Sequence, residues 1–202
     1  MCNRYRLRAP APAIVAALSV DKLGEVSLPP DELFPKRPAL VVRAAGHRHI
    51  AAAGDRRTAD VMTWGFPPPA AASGPVTNVR NLASPFWRSA LANPARRCLI
   101  PATDFCEWEG EKGSKIARWF SVPSQQVFAF AGIWRPVEGD LLGPSACFAM
   151  LTCEPNALVA PVHPKAMPVI LHPEDYTRWL AAPLAEALPL AAPFPSQLMT
   201  MD

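Results

Sequence analysis

Short runs of β-branched and aromatic residues follow one another along this chain, separated by polar and proline-rich segments. Runs of this length, bounded by turn-forming residues, are typical of β-strands. The twenty-five prolines fall mostly between the apolar runs, so we interpret them as loop residues and expect irregular segments at 28–38, 67–75 and 183–195. The predicted strands are Asn3–Leu7, Ala39–Arg43, His49–Ala53, Val61–Trp64, Cys98–Pro101, Asp104–Trp108, Arg118–Ser121, Val127–Trp134, Cys147–Thr152 and the short Val169–Leu171.

Helical signals are fewer. Ser84 followed by Pro85 predicts an N-cap and a first turn, opening a helix that runs to about Ala92. One or two turns are expected at Pro155–Val159, and a further helix at Pro173–Ala181, which starts with proline and acidic residues. Many strands with few helices predict the α+β class: a β-rich single domain, built as a curled, mostly antiparallel sheet or barrel with peripheral helices.

Length and composition agree with this class. The 202 residues, 50% of them apolar, predict one domain over 1–202, with a core of about 2–180 and a Pro/Ala-rich C-terminal tail over 181–202. No apolar run reaches the ~18 residues that a membrane span needs, and the N-terminus lacks the apolar region of a secretory signal. We therefore expect a cytoplasmic protein without membrane contact, associated with the nucleoid if the source is bacterial.

The five cysteines are odd in number and form no CxxC pair, which predicts neither a disulfide framework nor a zinc site. The histidines do not approach them at metal-ligand spacing, and we expect no metal and no cofactor. Three of the cysteines lie in apolar runs and are interpreted as small core residues: Cys98, Cys147 and Cys153.

The net charge of +3 does not by itself indicate a nucleic-acid partner, but the distribution of arginine is informative. Arginine is the preferred side chain for bidentate phosphate contacts, although for most of these positions solvated surface charge is the simpler interpretation. The arginines before residue 100 include Arg4, Arg6, Arg8, Arg43, Arg48, Arg56, Arg57, Arg80, Arg88, Arg96 and Arg97.

The second residue carries unusual chemistry. If Met1 is removed, Cys2 becomes an N-terminal 1,2-aminothiol, which condenses with an aldehyde to an imine and then closes a thiazolidine ring. The reference pKa values, about 7.7–8 for the amine and about 8.5 for the thiol, leave part of each group nucleophilic near neutral pH. If Asn3–Leu7 is a strand, alternation places Cys2 on the same face as Arg4, Arg6 and Arg8, with Tyr5 on the other face.

Three further segments have residues suited to a reactive site. Asn78 and Arg80 lie two apart and would share a strand face; Glu107 lies between apolar residues, where an unpaired carboxylate is costly; His163 lies in a proline-bounded loop. Taken singly, each has a structural interpretation: a turn cap, an arginine partner and a loop hydrogen bond. Taken together with Cys2, they provide the acid–base groups that imine chemistry requires.

The segments MCNRY, TNVRN, RRCLIPATDFCEWEG, FAFAGIW and VHPKAMPVIL, in this order, resemble the SRAP family of abasic-site processing proteins, once named SOS-response-associated peptidases. The resemblance runs from Cys2 to about Trp179. It implies a β-rich domain that binds single-stranded DNA and traps an abasic site as a thiazolidine, with lyase-like imine chemistry.

The same resemblance implies residue roles. Cys2 would be the nucleophile, Asn78 would orient its amine, Glu107 would shuttle protons and His163 would act on the deoxyribose oxygen. Flanking phosphates would be held by Arg4 and Arg80, with Lys165 as a further contact.

The sequence departs from the family pattern at two places. The loop 67–70 reads PPPA where members often have a tryptophan pair, and the histidine loop is one residue longer than in many members before its Pro-Val-Ile run. The first departure weakens the expectation that this loop stacks on a DNA base, and the second weakens the assignment of Lys165 as a phosphate contact.

Two other function classes are compatible with the residue types. Cys, His and Asn also occur in N-terminal-nucleophile hydrolases and thiol peptidases, for which self-processing here would remove Met1 alone. A non-catalytic nucleic-acid-binding module would not need Cys2. The partner expected under the first interpretation is single-stranded DNA with abasic sites, bound by a monomer.

Overall fold

The computed structural model describes residues 2–22, 30–45, 56–69, 74–111, 113–137 and 145–202. Fourteen strands lie in this part of the chain, most of them short. In chain order they are β1 Tyr5–Arg6, β2 Val20–Lys22, β3 Glu32–Leu33, β4 Pro38–Ala44, β5 Arg57–Trp64, β6 Asn78–Val79, β7 Arg97–Ala102, β8 Asp104–Glu109, β9 Ile116–Ser121, β10 Phe128–Pro136, β11 Ala146–Cys153, β12 Met167–Pro168, β13 Ile170–Leu171 and β14 Thr200–Met201.

Five of the longer strands close into a barrel. The order is β11-β10-β7-β4-β5, and β5 pairs in parallel with β11 to complete the circle. The other four contacts are antiparallel. Closure removes the exposed edges of these strands, which would otherwise present unpaired backbone groups.

A second sheet of five strands has the order β14-β9-β8-β1-β3 and is entirely antiparallel. Directly paired residues in such a sheet share a face. One face therefore carries Tyr5 with Phe105 and Phe120, which are fully buried. The opposite face carries Arg6 and Asp104.

Aromatic rings join the two sheets. The Tyr5 ring meets Trp64 of the barrel at 5.3 Å and Phe130 at 5.8 Å between centroids, both edge to face. Phe105 also packs edge to face on Phe130 at 5.9 Å. Such pairs stabilise beyond their buried area, by roughly 0.5–1.5 kcal/mol each. The N-terminal strand is thus fixed to the barrel by its aromatic face.

The described ranges contain four α-helices outside the sheets: α1 Ala11–Leu18, α2 Pro85–Ala92, α3 Tyr176–Ala181 and α4 Leu184–Ala187. The hydroxyl of Ser84 accepts from the Phe86 amide at 3.4 Å, so the predicted N-cap of α2 is confirmed. The Trp179 indole of α3 donates to the Cys98 carbonyl of β7 at 2.9 Å. This bond fixes α3 against the barrel wall.

Arg97 and Arg57 depart from the surface placement that we favour for most arginines. Arg97 is fully buried and donates to the backbone carbonyls of Trp179, at 2.8 Å, and Ala182, at 2.5 Å. Arg57 is 6% exposed and donates to the Leu18 carbonyl at 2.7 Å. Both guanidinium groups exchange water for carbonyl oxygens at the C-terminal ends of helices, a structural use of charge.

The α+β class, the single domain and the barrel alternative are confirmed, as are most predicted strands. Several details differ. Helix α1 and the short strands β2, β12 and β14 were not predicted, and Pro155–Val159 forms turns without a helix. Two segments expected to be irregular contain regular structure: β3 lies within 28–38 and α4 within 183–195. The predicted strand His49–Ala53 lies outside the described residues.

Candidate active site

Cys2 lies in the interior, 1% exposed, within the same buried cluster as Tyr5. Its thiol contacts the Arg4 carbonyl at 3.5 Å. The expectation that Cys2 shares an arginine-bearing face is wrong, because the hydrogen-bonded strand starts at Tyr5 and its alternation does not extend back to residue 2. The thiol is therefore enclosed by protein rather than displayed beside guanidinium groups.

Burial raises the pKa of the Cys2 thiol well above its usual value, and the nearby carboxylate of Glu107 raises that pKa further. The thiol is thus neutral near neutral pH, contrary to the sequence-based expectation of a partly ionised group. A buried neutral thiol needs a base at the moment that it attacks.

Asn78 holds the backbone of Cys2. Its side-chain Nδ2 donates to the Cys2 carbonyl at 3.0 Å and to the Thr77 hydroxyl at 2.8 Å. The parallel pairing of β6 with β11 places Asn78 opposite Met150, which fixes the amide relative to the barrel. The Oδ1 atom of Asn78 is buried and has no hydrogen-bond partner among the described residues.

Glu107 projects from β8 on the same face as Phe105 and is 2% exposed. Its Oε1 atom is buried and lacks a hydrogen-bond partner within the described ranges. Burial raises the pKa of this carboxyl to about 7, so it is half protonated near neutral pH. A carboxyl in that condition can donate or accept a proton, as a general acid–base group must.

His163 approaches the same carboxyl. Its Nε2 atom lies 4.0 Å from Oε2 of Glu107, and its Nδ1 atom lies 2.9 Å from the Ala166 carbonyl. We assign the proton to Nδ1 because that contact is shorter than the 3.3 Å contact with the Ala166 amide. Burial lowers the pKa of His163, so a neutral imidazole with Nε2 facing Glu107 is the favoured form.

Arg4 lies near the buried Cys2 site but on the outer face of the second sheet. Its guanidinium pairs with Glu32 at 2.6 Å, and it also lies over the Trp119 ring at 5.0 Å from the centroid. Arg6 pairs with Glu32 at 3.1 Å and Asp104 at 3.2 Å. A phosphate would have to compete with Glu32 for Arg4.

The other two predicted phosphate contacts, Arg80 and Lys165, differ from Arg4 in their surroundings. Arg80 follows Asn78 by two residues and pairs with the exposed carboxylate of Glu154. Lys165 is exposed, two residues after His163, and its charge contributes to the lowered pKa of that imidazole. Both cations therefore border the group formed by Cys2, Asn78, Glu107 and His163.

Sequence reasoning missed the acidic partners, Glu32 of Arg4 and Glu154 of Arg80. No local pattern identifies them, because Glu32 pairs across a strand contact 28 residues away from Arg4 and Glu154 lies 74 residues from Arg80. In the described part of the chain, no group of three or more His, Cys, Asp or Glu side chains could hold a metal ion. No described helix is long and apolar enough to cross a membrane.

Comparison with known proteins assigns the chain to a family. The profile described as SRAP, SOS response associated peptidase, matches residues 1–202. The chain therefore belongs to the SRAP family, and the resemblance found in the sequence is confirmed.

Two curated relatives are similar over most of their length. The abasic site processing protein YoqW of Bacillus subtilis (strain 168) is 29% identical over 191 residues, covering 89% of this chain and 80% of that protein. The abasic site processing protein YoaM of the same organism is 28% identical over 194 residues, covering 89% of this chain and 79% of that protein.

Solved structures share the fold. A crystal structure of a protein from Bordetella bronchiseptica superposes with a TM-score of 0.80 at 21% identity, covering 99% of this chain and 98% of that one. A crystal structure from Bacteroides thetaiotaomicron gives 0.75 at 22% identity, covering 99% and 90%. At this identity the likeness establishes the architecture alone.

Proposed function

We propose that this protein processes abasic sites in single-stranded DNA and forms a covalent thiazolidine between Cys2 and the ring-opened sugar aldehyde, protecting the lesion. The observation that carries the proposal is the enclosure of Cys2 between an amide donor, Asn78, and a carboxyl of raised pKa, Glu107. The curated relatives named abasic site processing proteins support the substrate class.

The chemistry needs the α-amine of Cys2, and therefore removal of Met1. The amine adds to the aldehyde carbon to give a carbinolamine, whose hydroxyl leaves as water once it is protonated. Glu107 in its acid form supplies that proton and becomes a carboxylate. The product is an iminium ion at the same carbon.

Ring closure follows at that carbon. The Cys2 sulfur bonds to it, the electron pair of the C=N bond returns to nitrogen, and the thiol proton passes to the Glu107 carboxylate. One water is lost overall and nothing is oxidised or reduced. Because the Cys2 thiol is neutral at rest, the carboxylate formed in the preceding step supplies the base that ring closure needs.

His163 and the cations have supporting roles in this proposal. The neutral imidazole accepts or returns a proton at the deoxyribose oxygen as the sugar opens and, in reverse, closes. Phosphates flanking the lesion are held by Arg4, Arg80 and Lys165. The raised pKa of the Cys2 thiol argues against a peptidase, since thiol peptidases depend on a readily formed thiolate.

The test is incubation with a single-stranded oligonucleotide that contains one abasic site, followed by denaturing electrophoresis. The native protein should give a band that survives denaturation. Cys2→Ala should lose this band but retain attachment that borohydride traps, because its amine still forms an imine. Cys98→Ala, which removes another buried thiol, is the matched control and should behave as the native protein.

A second variant isolates the amine. One residue inserted before Cys2 keeps the thiol but converts the amine to an amide, so the stable band should disappear. Intact mass spectrometry must first establish that Met1 is absent from the native protein and from Cys2→Ala. An equally stable adduct from the extended protein would contradict the aminothiol mechanism.

A further inference from the structure

A groove beside α2 is separate from the Cys2 site and combines aromatic rings with arginines. Its volume is about 210 Å³. We call it the Trp134 groove. It is lined by Phe66, Phe86, Asn93, Arg96, Trp134 and Arg135, among others.

Two guanidinium groups in this groove lie against rings. The Cζ atom of Arg96 lies 4.6 Å from the centroid of the Trp134 ring, and that of Arg135 lies 4.6 Å from the Phe66 ring and 5.4 Å from the Phe86 ring. Stacking of this kind fixes the guanidinium plane but leaves its N–H edge available for hydrogen bonds. The two arginines are therefore oriented before any ligand arrives.

Charge in the groove is one-sided. No acidic residue lines it among the described residues, and neither Arg96 nor Arg135 has an ion-pair partner there. Arg135 donates hydrogen bonds to uncharged groups, to the Pro67 carbonyl at 3.1 Å and to the Cys147 thiol. The adjoining depression differs, because its arginine, Arg43, is paired with Asp60 at 2.6 Å.

We propose that the Trp134 groove binds a segment of single-stranded DNA at a distance from the reacting nucleotide. This inference rests on the proposed function. Phosphates would contact the guanidinium edges of Arg96 and Arg135, while a base packs on the half-exposed Phe86 ring. Arginines without a carboxylate partner among the described residues, interleaved with aromatic rings, are the combination that suits single-stranded nucleic acids, since every base has a π-face and every nucleotide a charge.

The groove is connected to the Cys2 site through one short segment. Phe66 pairs with Val76 across an isolated bridge, and Asn78 follows Val76 by two residues. Gly65 precedes this bridge with φ of 125°, a conformation that favours glycine, and a Cβ there would lie 2.9 Å from Pro75. The bridge thus places Phe66 of the groove beside the segment that leads into β6, whose Asn78 holds Cys2.

The test compares undamaged single-stranded oligonucleotides of about five and about twenty nucleotides, lengths that fill one site or extend beyond it. Arg96→Ala/Arg135→Ala should weaken binding of the longer oligonucleotide by about a hundredfold or more, because each of the two lost charge-assisted contacts contributes about tenfold. It should leave the short one unchanged. The salt slope for the longer oligonucleotide should fall by about 1.4, corresponding to two lost phosphate contacts.

Controls keep this result interpretable. Arg56→Ala removes one exposed positive charge that pairs with Asp21 at 3.8 Å and does not line the groove, and it should alter neither oligonucleotide. Arg96→Ala alone, which leaves the Arg135 contacts with Phe66 and Pro67 intact, provides the test if the double variant is unstable. Equal binding of the long oligonucleotide by the native protein and both groove variants would overturn the proposal.

Failure of this proposal and failure of the proposed function are distinguishable. Undamaged DNA contains no aldehyde, so the groove measurement does not depend on Cys2 chemistry. If the native protein crosslinks abasic DNA but the groove substitutions do not change binding, the proposed function stands and the groove proposal fails. If the groove substitutions weaken binding but the native protein forms no crosslink, the groove proposal stands and the thiazolidine mechanism fails.

Discussion

Arg97 and Glu107 are both buried charged residues on strands that follow each other in the chain, β7 and β8, yet their surroundings differ. The Arg97 guanidinium is bonded to two backbone carbonyls at the end of α3 and lies 5.6 Å from the Trp179 ring centroid. One oxygen of Glu107 has no hydrogen-bond partner in the described residues, and the other lies 4.0 Å from His163. Each side chain keeps one buried atom without a hydrogen-bond partner among the described residues, Nε of Arg97 and Oε1 of Glu107. The two residues differ in that backbone carbonyls fix the Arg97 guanidinium, whereas a titratable imidazole approaches the Glu107 carboxyl.

The comparison is tested most strongly at Arg97. Arg97→Ala should lower the free energy of unfolding by about 3–5 kcal/mol, because two carbonyl oxygens lose their donors and a large buried volume is emptied. Thermal or urea unfolding measures the loss. Arg178→Ala, an exposed arginine in the neighbouring α3, should change stability by less than about 0.5 kcal/mol. A small effect at Arg97 would mean that its burial is incidental.

Replacing Glu107 should stabilise the protein at high pH, whereas replacing Arg97 destabilises it. The pKa of Glu107 is raised to about 7, so the unfolded chain ionises first and the native state loses stability between about pH 4.5 and 7. Glu107→Gln removes this titration. Between acidic pH and pH 8, the free energy of unfolding of this variant should rise by about 3 kcal/mol relative to that of the native protein. The variant also lacks the carboxyl that shuttles protons. A constant stability difference across this range would show that the carboxyl has an ordinary pKa.

His163 sharpens the functional side of the comparison. His163→Ala should slow adduct formation on a closed-ring abasic site by about 10²-fold, the lower part of the range for a positioned acid–base group, and should slow reversal similarly. His172→Ala is the matched control, since His172 packs on Phe194 at 4.6 Å, away from Glu107. The rates come from quenched time courses. Unchanged rates with an intact fold would assign His163 a structural role.

The smallest expected effect concerns Arg80, whose partner Glu154 is exposed. Arg80→Ala should weaken binding similarly for all sequences and reduce the slope of log affinity against log salt by about 0.7. Titration at several salt concentrations measures it. Strong base preference with little salt dependence would point to base contacts instead of phosphate contacts.

The sequence alone predicts much of this molecule because its signals are local. Ser84-Pro85 identifies the start of α2, and β-branched runs identify the barrel strands. Helix α1 is rich in alanine and proline, with one apolar side buried at Ile14 and Leu18, and its periodicity is too weak to recognise. Its helical state depends on packing, which a local pattern does not contain.

The candidate site also divides into features that residue chemistry predicts and features that depend on the folded structure. Cys2, Asn78, Glu107 and His163 could be selected from residue chemistry and the family resemblance. The depth of Cys2 could not be predicted, because it depends on where the first strand starts pairing. The partners of Arg4 and Arg80 were equally inaccessible, since long-range ion pairs arise from topology.

The parallel contact between β5 and β11 has a kinetic consequence. Thr63 pairs with Cys147, so about eighty residues of chain must be gathered before this contact can form. Closing so long a loop has a substantial entropic cost, and topologies dominated by such distant pairings fold slowly. Asn78 depends on the same strand, β11, for its position. During refolding, the capacity to trap an aldehyde should therefore return with barrel closure, later than the burial of tryptophan in the local hairpins.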